Sequence, residues 1–316
     1  MDEITHPFIR TAVACLALVM GLFAPISSLV SQSHPAVEHA AALCQSGELT
    51  ASLQAIDRAI ATQVVASGHA WYVKAFIHKE IYVQMDGLHA DSPHRMAAIE
   101  ALKRSAKLGR KSQADERVSA QLATQIEPLA AYLAQTYLVD AQRSAGDLEA
   151  GEQPRALQFF AQYIEAEAIL DPGFRDRDTE VLLLQNLAEN AMIASRPEAN
   201  PLGGAAAFEL GIELYIRAAK AGPDAFTSWY NAAVHTYNRG VHLYRHGPDY
   251  DLEAEDRWHA VAADLWGRSR HLMWRAVDLR GENGDAIRAL GTVAEALDHQ
   301  EDAAWCSAHL KELERN

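Results

Sequence analysis

The sequence is poor in cations. It holds 28 Lys and Arg against 42 Asp and Glu, which gives a formal net charge of -14 over 316 residues. Binding along a phosphate backbone needs clustered positive charge, so we expect no nucleic acid among the partners. Hydrophobic residues make up 49% and charged residues 22% of the chain, a composition that excludes a largely disordered protein.

Strand patterns are scarce as well. Val, Ile and Thr occur singly and seldom alternate with polar residues, as a sandwich or barrel would require. Ala and Leu, which are strong helix formers, supply 58 and 33 positions instead. Candidate helices follow one another between short Gly, Pro and Asp breaks, and Pro128 predicts a kink or a split in one of them, residues 112–143. We therefore predict an all-α chain of stacked helical hairpins, an α-solenoid, because a hairpin buries its apolar face only against neighbours.

Motifs that identify enzymes are absent. The chain has no CxxC, HExxH, GxSxG or P-loop pattern. Among its three cysteines, Cys44 and Cys306 lie near opposite ends of the chain, and we interpret them as buried thiols rather than as a disulfide. We predict no cofactor and a non-enzymatic function.

The amino terminus carries the longest apolar run. Residues 12–30 contain no charge and follow the single cation Arg10. They are typical either of a signal peptide that is cleaved near Ser31-Gln32-Ser33 or of a retained membrane anchor. Either interpretation predicts an exported, periplasmic or envelope-associated protein. We divide the chain into residues 1–33 and a helical domain at 34–316, with a sub-boundary in the Pro- and Gly-rich stretch 196–204.

A degenerate repeat is visible in the carboxy-terminal half. Its first segment places small or aromatic residues and a proline at spacings of four, three and five: Gly211, Tyr215, Ala218 and Pro223. The next segment adds Trp229, Ala232 and Ala233. This pattern resembles the tetratricopeptide repeat, in which the first helix carries W-x2-L-G-x2-Y and proline closes the unit. Thr236 departs from the family pattern, because an aromatic residue is expected there.

Three further segments resemble weaker copies of the repeat. Residues 69–108 carry Trp71 and Ala75, residues 285–305 carry a Leu-Gly pair, and residues 159–172 end in Leu-Asp-Pro. The order of the copies is similar to that of exported bacterial proteins with tetratricopeptide repeats.

The resemblance implies a superhelix that binds proteins or peptides on its concave face, against the first helix of each hairpin. The positions that would face such a ligand in the carboxy-terminal repeat are Thr227, Tyr230, Val234, Tyr237 and Asn238. In the amino-terminal repeat they are His69, Tyr72, Phe76 and Lys79. Periodicity alone does not separate a groove from a core for the apolar members. The implied function is a non-enzymatic binding scaffold of the cell envelope.

Two other functions stay open at this point. The His-rich region 235–259 includes His242 and His246, whose i, i+4 spacing suits two metal ligands on one helix face and would support a metal-binding or hydrolytic protein. The six tryptophans would suit a sugar-binding envelope protein. Trp258, Trp266 and Trp274 recur every eight residues, a spacing that is also typical of a helix core.

Overall fold

The computed structural model describes most of the helical domain. The described residues are 34–62, 67–111, 116–147, 152–196, 204–222, 225–246 and 252–315. The apolar segment 12–30 and the predicted cleavage or anchor region lie outside these residues. No helix within the described ranges is both long and apolar enough to cross a bilayer.

All regular structure in the described residues is helical. Six helices come first: α1 (Pro35–Gln45), α2 (Leu49–Thr62), α3 (Gly68–Gln84), α4 (Pro93–Lys111), α5 (Glu116–Gly146) and α6 (Glu152–Glu167). The other six are α7 (Arg177–Ala194), α8 (Gly204–Ala221), α9 (Phe226–His246), α10 (Leu252–Leu279), α11 (Gly284–Ala296) and α12 (Gln300–Leu313). The prediction of an all-α chain is confirmed.

Helices that are neighbours in sequence pack against each other within two compact units. The first unit comprises residues 1–143 and 154–175, and the second comprises 144–153 and 176–316. In the first unit α1 packs on α2 and α3, α2 on α3, and α3 on α4. In the second, each helix from α7 to α12 packs on the next, and α9 also reaches α11. Most of the predicted sub-boundary at 196–204 lies outside the described residues. The described helices therefore form consecutive stacked hairpins.

Small residues allow the helix pair α7–α8 to approach closely. A Cβ atom built on Gly211 of α8 would lie 2.5 Å from Cε of Met192 and 3.1 Å from the carbonyl oxygen of Ala188, both on α7. Ala218 of α8 is fully buried in the core.

Thr236, which replaces the expected aromatic residue on α9, is also fully buried. Its hydroxyl donates to the carbonyl oxygen of Ala232 at 2.7 Å, which satisfies the polar group inside the core.

Helix α5 continues through Pro128, so the expected split does not occur. A proline inside a helix removes one backbone hydrogen bond and crowds the preceding turn. The two turns that flank it hold buried residues, Ile126 before it and Leu129 and Leu133 after it. Packing of this apolar face keeps the helix together across the proline, whose own side is exposed.

The two described cysteines, Cys44 and Cys306, are unpaired and buried, as we expected. Burial raises the pKa of each thiol to about 11, and the neighbouring carboxylates Glu80 and Asp302 act in the same direction. Both thiols therefore stay protonated and pack as small apolar groups.

A buried arginine anchors the first unit. Arg95 of α4 is completely buried, and its Nη1 lies 2.6 Å from Oδ2 of Asp140 on α5. The same nitrogen donates to the hydroxyl of Thr136 at 3.4 Å, and the guanidinium lies 3.8 Å from the ring centre of Tyr137. On α3, the hydroxyl of Tyr82 lies 3.5 Å from the guanidinium. One charged group thus joins α3, α4 and α5.

We predict that Asp140→Ala lowers the free energy of unfolding by about 3–5 kcal/mol, because it leaves the buried Arg95 charge without its counter-ion. The matched control is Asp91→Ala in the same unit, since Asp91 is 61% exposed and pairs with Arg155 at 2.6 Å. An exposed pair contributes about 1 kcal/mol or less. Urea unfolding followed by circular dichroism measures both changes. Equal losses in the two variants would contradict the anchoring role.

Candidate functional site

The predicted residues of α3 lie on one face of the helix. Ser67 caps the helix by accepting a hydrogen bond from the backbone N–H of Ala70 at 3.3 Å. Neighbouring helices bury most of α3, and a half-buried row remains at spacings of three and four. We call this row the α3 stripe; its members are His69, Tyr72, Phe76, Lys79 and Val83. The structure therefore brings together all four predicted residues and adds Val83.

The α3 stripe includes the cation Lys79, which contacts two aromatic rings and a carboxylate. Nζ of Lys79 lies 4.4 Å from the ring centre of Phe76 and 6.0 Å from that of Tyr132 on α5. The ammonium also pairs with one carboxylate oxygen of Glu80, whose other oxygen accepts a hydrogen bond from Gln84 at 2.7 Å. Because Glu80 neutralises the charge and two rings surround it, the surface is aromatic rather than strongly basic.

Sequence reasoning missed Tyr132, which lies more than fifty positions from Lys79 in the chain. Burial raises the pKa of its hydroxyl to about 12, with Tyr82 and Glu80 acting in the same direction. The tyrosine therefore stays neutral at physiological pH. No short-range pattern could have identified it, because only the packing of α5 brings the ring to Lys79.

The amino-terminal end of the stripe is neutral. The rings of His69 and Tyr72 stack with centres 6.3 Å apart. Burial lowers the pKa of His69, and Glu38 of α1 opposes this effect. Nδ1 of His69 has no hydrogen-bond partner on the protein, and the same is true of Oε1 of Gln125 on α5. Two buried polar atoms, one on α3 and one on α5, thus have no hydrogen-bond partner in the fold.

The five predicted α9 residues lie on one side of the helix, and we call four of them the α9 face. They follow spacings of three and four, with the outer two exposed and the inner two half-buried: Thr227, Tyr230, Val234 and Asn238. The ring of Tyr230 stacks on Phe226, with centres 5.7 Å apart. The fifth residue, Tyr237, is half-buried and places its ring 6.3 Å from that of Trp266 on α10.

A polar cluster that sequence reasoning missed connects α7, α8 and α9. The buried hydroxyl of Tyr215 donates to Oε2 of Glu189, and Nε2 of His235 lies 3.5 Å from the same oxygen. The rings of Tyr215 and His235 stack with centres 5.7 Å apart. Glu189 remains 54% exposed, so the cluster fixes a carboxylate at the surface. We call these three residues the carboxylate cluster.

Burial and the fixed carboxylate set the protonation of this cluster. Burial raises the pKa of Tyr215, and Glu189 raises it further, because a phenolate beside a carboxylate is disfavoured. Burial lowers the pKa of His235, with Glu189 opposing the effect. Tyr215 is therefore a permanent hydrogen-bond donor, and neutral His235 is the dominant form at physiological pH.

The histidines of the region 235–259 contact different residues. His235 belongs to the carboxylate cluster, His242 is half-buried, and the ring of His259 stacks on Tyr244 with centres 4.4 Å apart. The side chain of His246 lies outside the described residues. Within the ranges that the structure describes, no group of three His, Cys, Asp or Glu side chains is placed to hold a metal ion.

Three of the tryptophans that suggested sugar binding, Trp266, Trp274 and Trp305, contact other aromatic rings. The rings of Trp274 and Trp305 have centres 4.8 Å apart, and Trp305 also stacks on His309 at 4.6 Å. Nε1 of Trp274 donates to Asp302 at 3.1 Å. Trp266 lies between Tyr237 and Tyr244. These contacts connect α9, α10 and α12 within the second unit.

Comparison with known proteins gives matches among solved structures. No protein-family model matches the chain, and no curated protein matches it. Among the solved structures that match is one described as a human IFIT1 dimer with PPP-AAAA, at 12% sequence identity and a TM-score of 0.20. The alignment covers 89% of this chain and 72% of that chain. A TM-score this low carries no information about the function of this chain.

We predict that Tyr215→Phe lowers the free energy of unfolding by about 1–3 kcal/mol, because the hydroxyl donates to a charged acceptor from a buried position. Tyr244→Phe is the matched control in the same unit, since the side chain of Tyr244 is half exposed. Urea unfolding measures both variants. If Tyr215→Phe is as stable as the control, the carboxylate cluster does not hold α7, α8 and α9 together.

Proposed function

We propose that the chain is a non-enzymatic scaffold that binds segments of other proteins along the half-buried α3 stripe and along the α9 face. The observation that carries the proposal is the α3 stripe. Its members extend over 14 helical positions, from His69 to Val83, and so over about 21 Å. Both α3 and α9 are first helices of their hairpins, α3–α4 and α9–α10, and the resemblance to tetratricopeptide repeats assigns ligand contact to such helices.

The chemistry of the α3 stripe suits an amphipathic helix or an extended peptide with apolar side chains. Aromatic rings supply contact area at a small cost in side-chain entropy, and spacings of three and four match the residues of a partner helix. Lys79 is neutralised by Glu80, so the stripe does not select acidic partners. The acidic chain as a whole favours a basic or neutral partner over a nucleic acid.

The α9 face supports a second contact of more polar character. The exposed hydroxyl of Thr227 and the exposed amide of Asn238 can pair with a peptide backbone, and Tyr230 and Val234 add apolar area between them. The carboxylate of Glu189 lies on the adjacent α7, tied to α9 through His235. An extended peptide that carries a cation would suit this combination.

The site of action that we propose is the cell envelope. The apolar segment 12–30 supports export, whether it is cleaved or retained as an anchor. The absence of recognisable catalytic motifs in the sequence supports a binding role over an enzymatic one.

The proposed function predicts that Tyr72→Ala combined with Phe76→Ala reduces recovery of specific partners about tenfold or more, since loss of two aromatic anchors costs more than about 1.4 kcal/mol of binding. The tagged protein is captured from crosslinked envelope fractions, and the bound proteins are quantified by mass spectrometry. The control is Met85→Ala, which removes an apolar side chain that is 61% exposed just beyond the end of α3. Circular dichroism confirms that each variant is folded.

Partners that are lost with the double variant and retained with the control would support the α3 stripe as the binding surface. Equal recovery with all three proteins would contradict it. Thr227→Ala combined with Asn238→Ala tests the α9 face in the same assay. Tyr237 is left intact there, because its contact with Trp266 would confound a loss of binding with a loss of packing.

A further inference from the structure

Two histidines meet head to head between α3 and α4. Nδ1 of His78 lies 2.9 Å from Nδ1 of His94, with ring centres 5.2 Å apart. His78 is 7% exposed and lies on the side of α3 that packs against α4, whereas His94 is half-buried in the first turn of α4. The pair therefore forms part of the contact between the two helices.

The number of protons decides whether this hydrogen bond exists. A neutral imidazole carries hydrogen on one ring nitrogen only, so one Nδ1 donates and the other accepts. A single extra proton preserves the bond, because a protonated ring still donates to a neutral one. A second extra proton removes the acceptor and leaves two positive charges facing each other at the 2.9 Å separation of the two Nδ1 atoms.

The surroundings of the pair resist that second proton. Burial lowers the pKa of His78 to about 4, and His94 and Lys74 lower it as well. Asp57 of α2 acts in the opposite direction but already pairs with Lys74 at 2.6 Å. Among the described residues, the charged and titratable groups that influence His78 lie on three helices: Lys74 on its own helix, His94 on α4 and Asp57 on α2. A single carboxylate, shared with a lysine, does not offset two added charges.

We propose that the His78–His94 contact is an acid-sensitive joint, in which uptake of the second proton separates the two imidazoles and loosens α3 from α4. The joint lies on a different side of α3 from the stripe, since successive residues of a helix point about 100° apart and His78, next to Lys79, is buried against α4. Acidification therefore weakens the support of the helix that carries the stripe. The consequence for partner binding rests on the proposed function, whereas the joint itself does not.

The sign of the pH effect follows from linkage. An unfolded histidine takes up its proton near its ordinary pKa of 6.5, but folded His78 does so near pH 4. The unfolded state therefore binds more protons between these values, and the joint's contribution to stability is lost as the pH falls from about 6.5 to about 4. Above pH 6.5 the contribution is fully present.

The test compares thermal unfolding of the wild type and His94→Asn at pH 7 and pH 4.5. Asparagine offers its side-chain oxygen as an acceptor to Nδ1 of His78 but cannot become positively charged. We expect the loss of melting temperature on acidification to be smaller in His94→Asn than in the wild type by about 2–4 °C. The control His39→Asn removes an exposed histidine of α1 and should keep the wild-type pH dependence.

Hydrogen exchange localises the effect. At pH 4.5, backbone amides of α3 and α4 should exchange faster in the wild type than in His94→Asn, while amides of α11 and α12 in the other unit should not differ. Identical pH dependence of melting in the two proteins, or identical exchange in α3 and α4, would overturn the proposal. Neither measurement involves a ligand, so such a result would remove the joint and leave the proposed binding function standing.

Discussion

Close approach of neighbouring helices is the constraint on which both units depend. A Cβ atom on Gly68 would lie 2.7 Å from Cδ2 of Leu122, and one on Gly240 would lie 2.6 Å from Nε1 of Trp266. A side chain at either position would force the contacting side chain or its helix to shift. Alanines supply the other close contacts, and many of them are fully buried. The high alanine content therefore reflects packing distance as well as helix propensity.

The same constraint explains where the larger side chains lie. Large side chains fill the space between the helix crossings, where small residues lie. Tyr82 and Tyr215 are buried in the core. Arg95 forms a polar network with Asp140 inside the core. Others remain half-buried, as in the α3 stripe.

Much of the fold was predictable from the sequence because its signals are local. Helical composition and short breaks predicted the all-α class, and spacings of three and four predicted that the four α3 candidates share a face. On α9 the same spacing placed Thr227, Tyr230, Val234 and Asn238 together. Tyr237 shows the limit of this reasoning, because its neighbour Trp266 lies on the next helix and draws its ring toward α10.

The remaining features depend on contacts between residues that are distant in sequence. Tyr132 reaches Lys79 only through the packing of α5, and Glu189 meets Tyr215 and His235 from three different helices. The head-to-head histidine pair requires the register of α3 on α4. The sequence predicted a kink or a split at Pro128, and α5 is not split there, since the propensity to break a helix is local but the packing that holds α5 together across it is not.

The central claim is that partners contact the α3 stripe, and site-specific photo-crosslinking tests it most directly. A photoreactive amino acid is introduced in turn at Tyr72, Phe76, Lys79 and Val83, and at exposed positions 304, 307, 308 and 311 of α12 for comparison. The account predicts crosslinks to the same partner from the stripe positions and none from α12. Crosslinks that are equally frequent from both helices, or absent from the stripe, would contradict it.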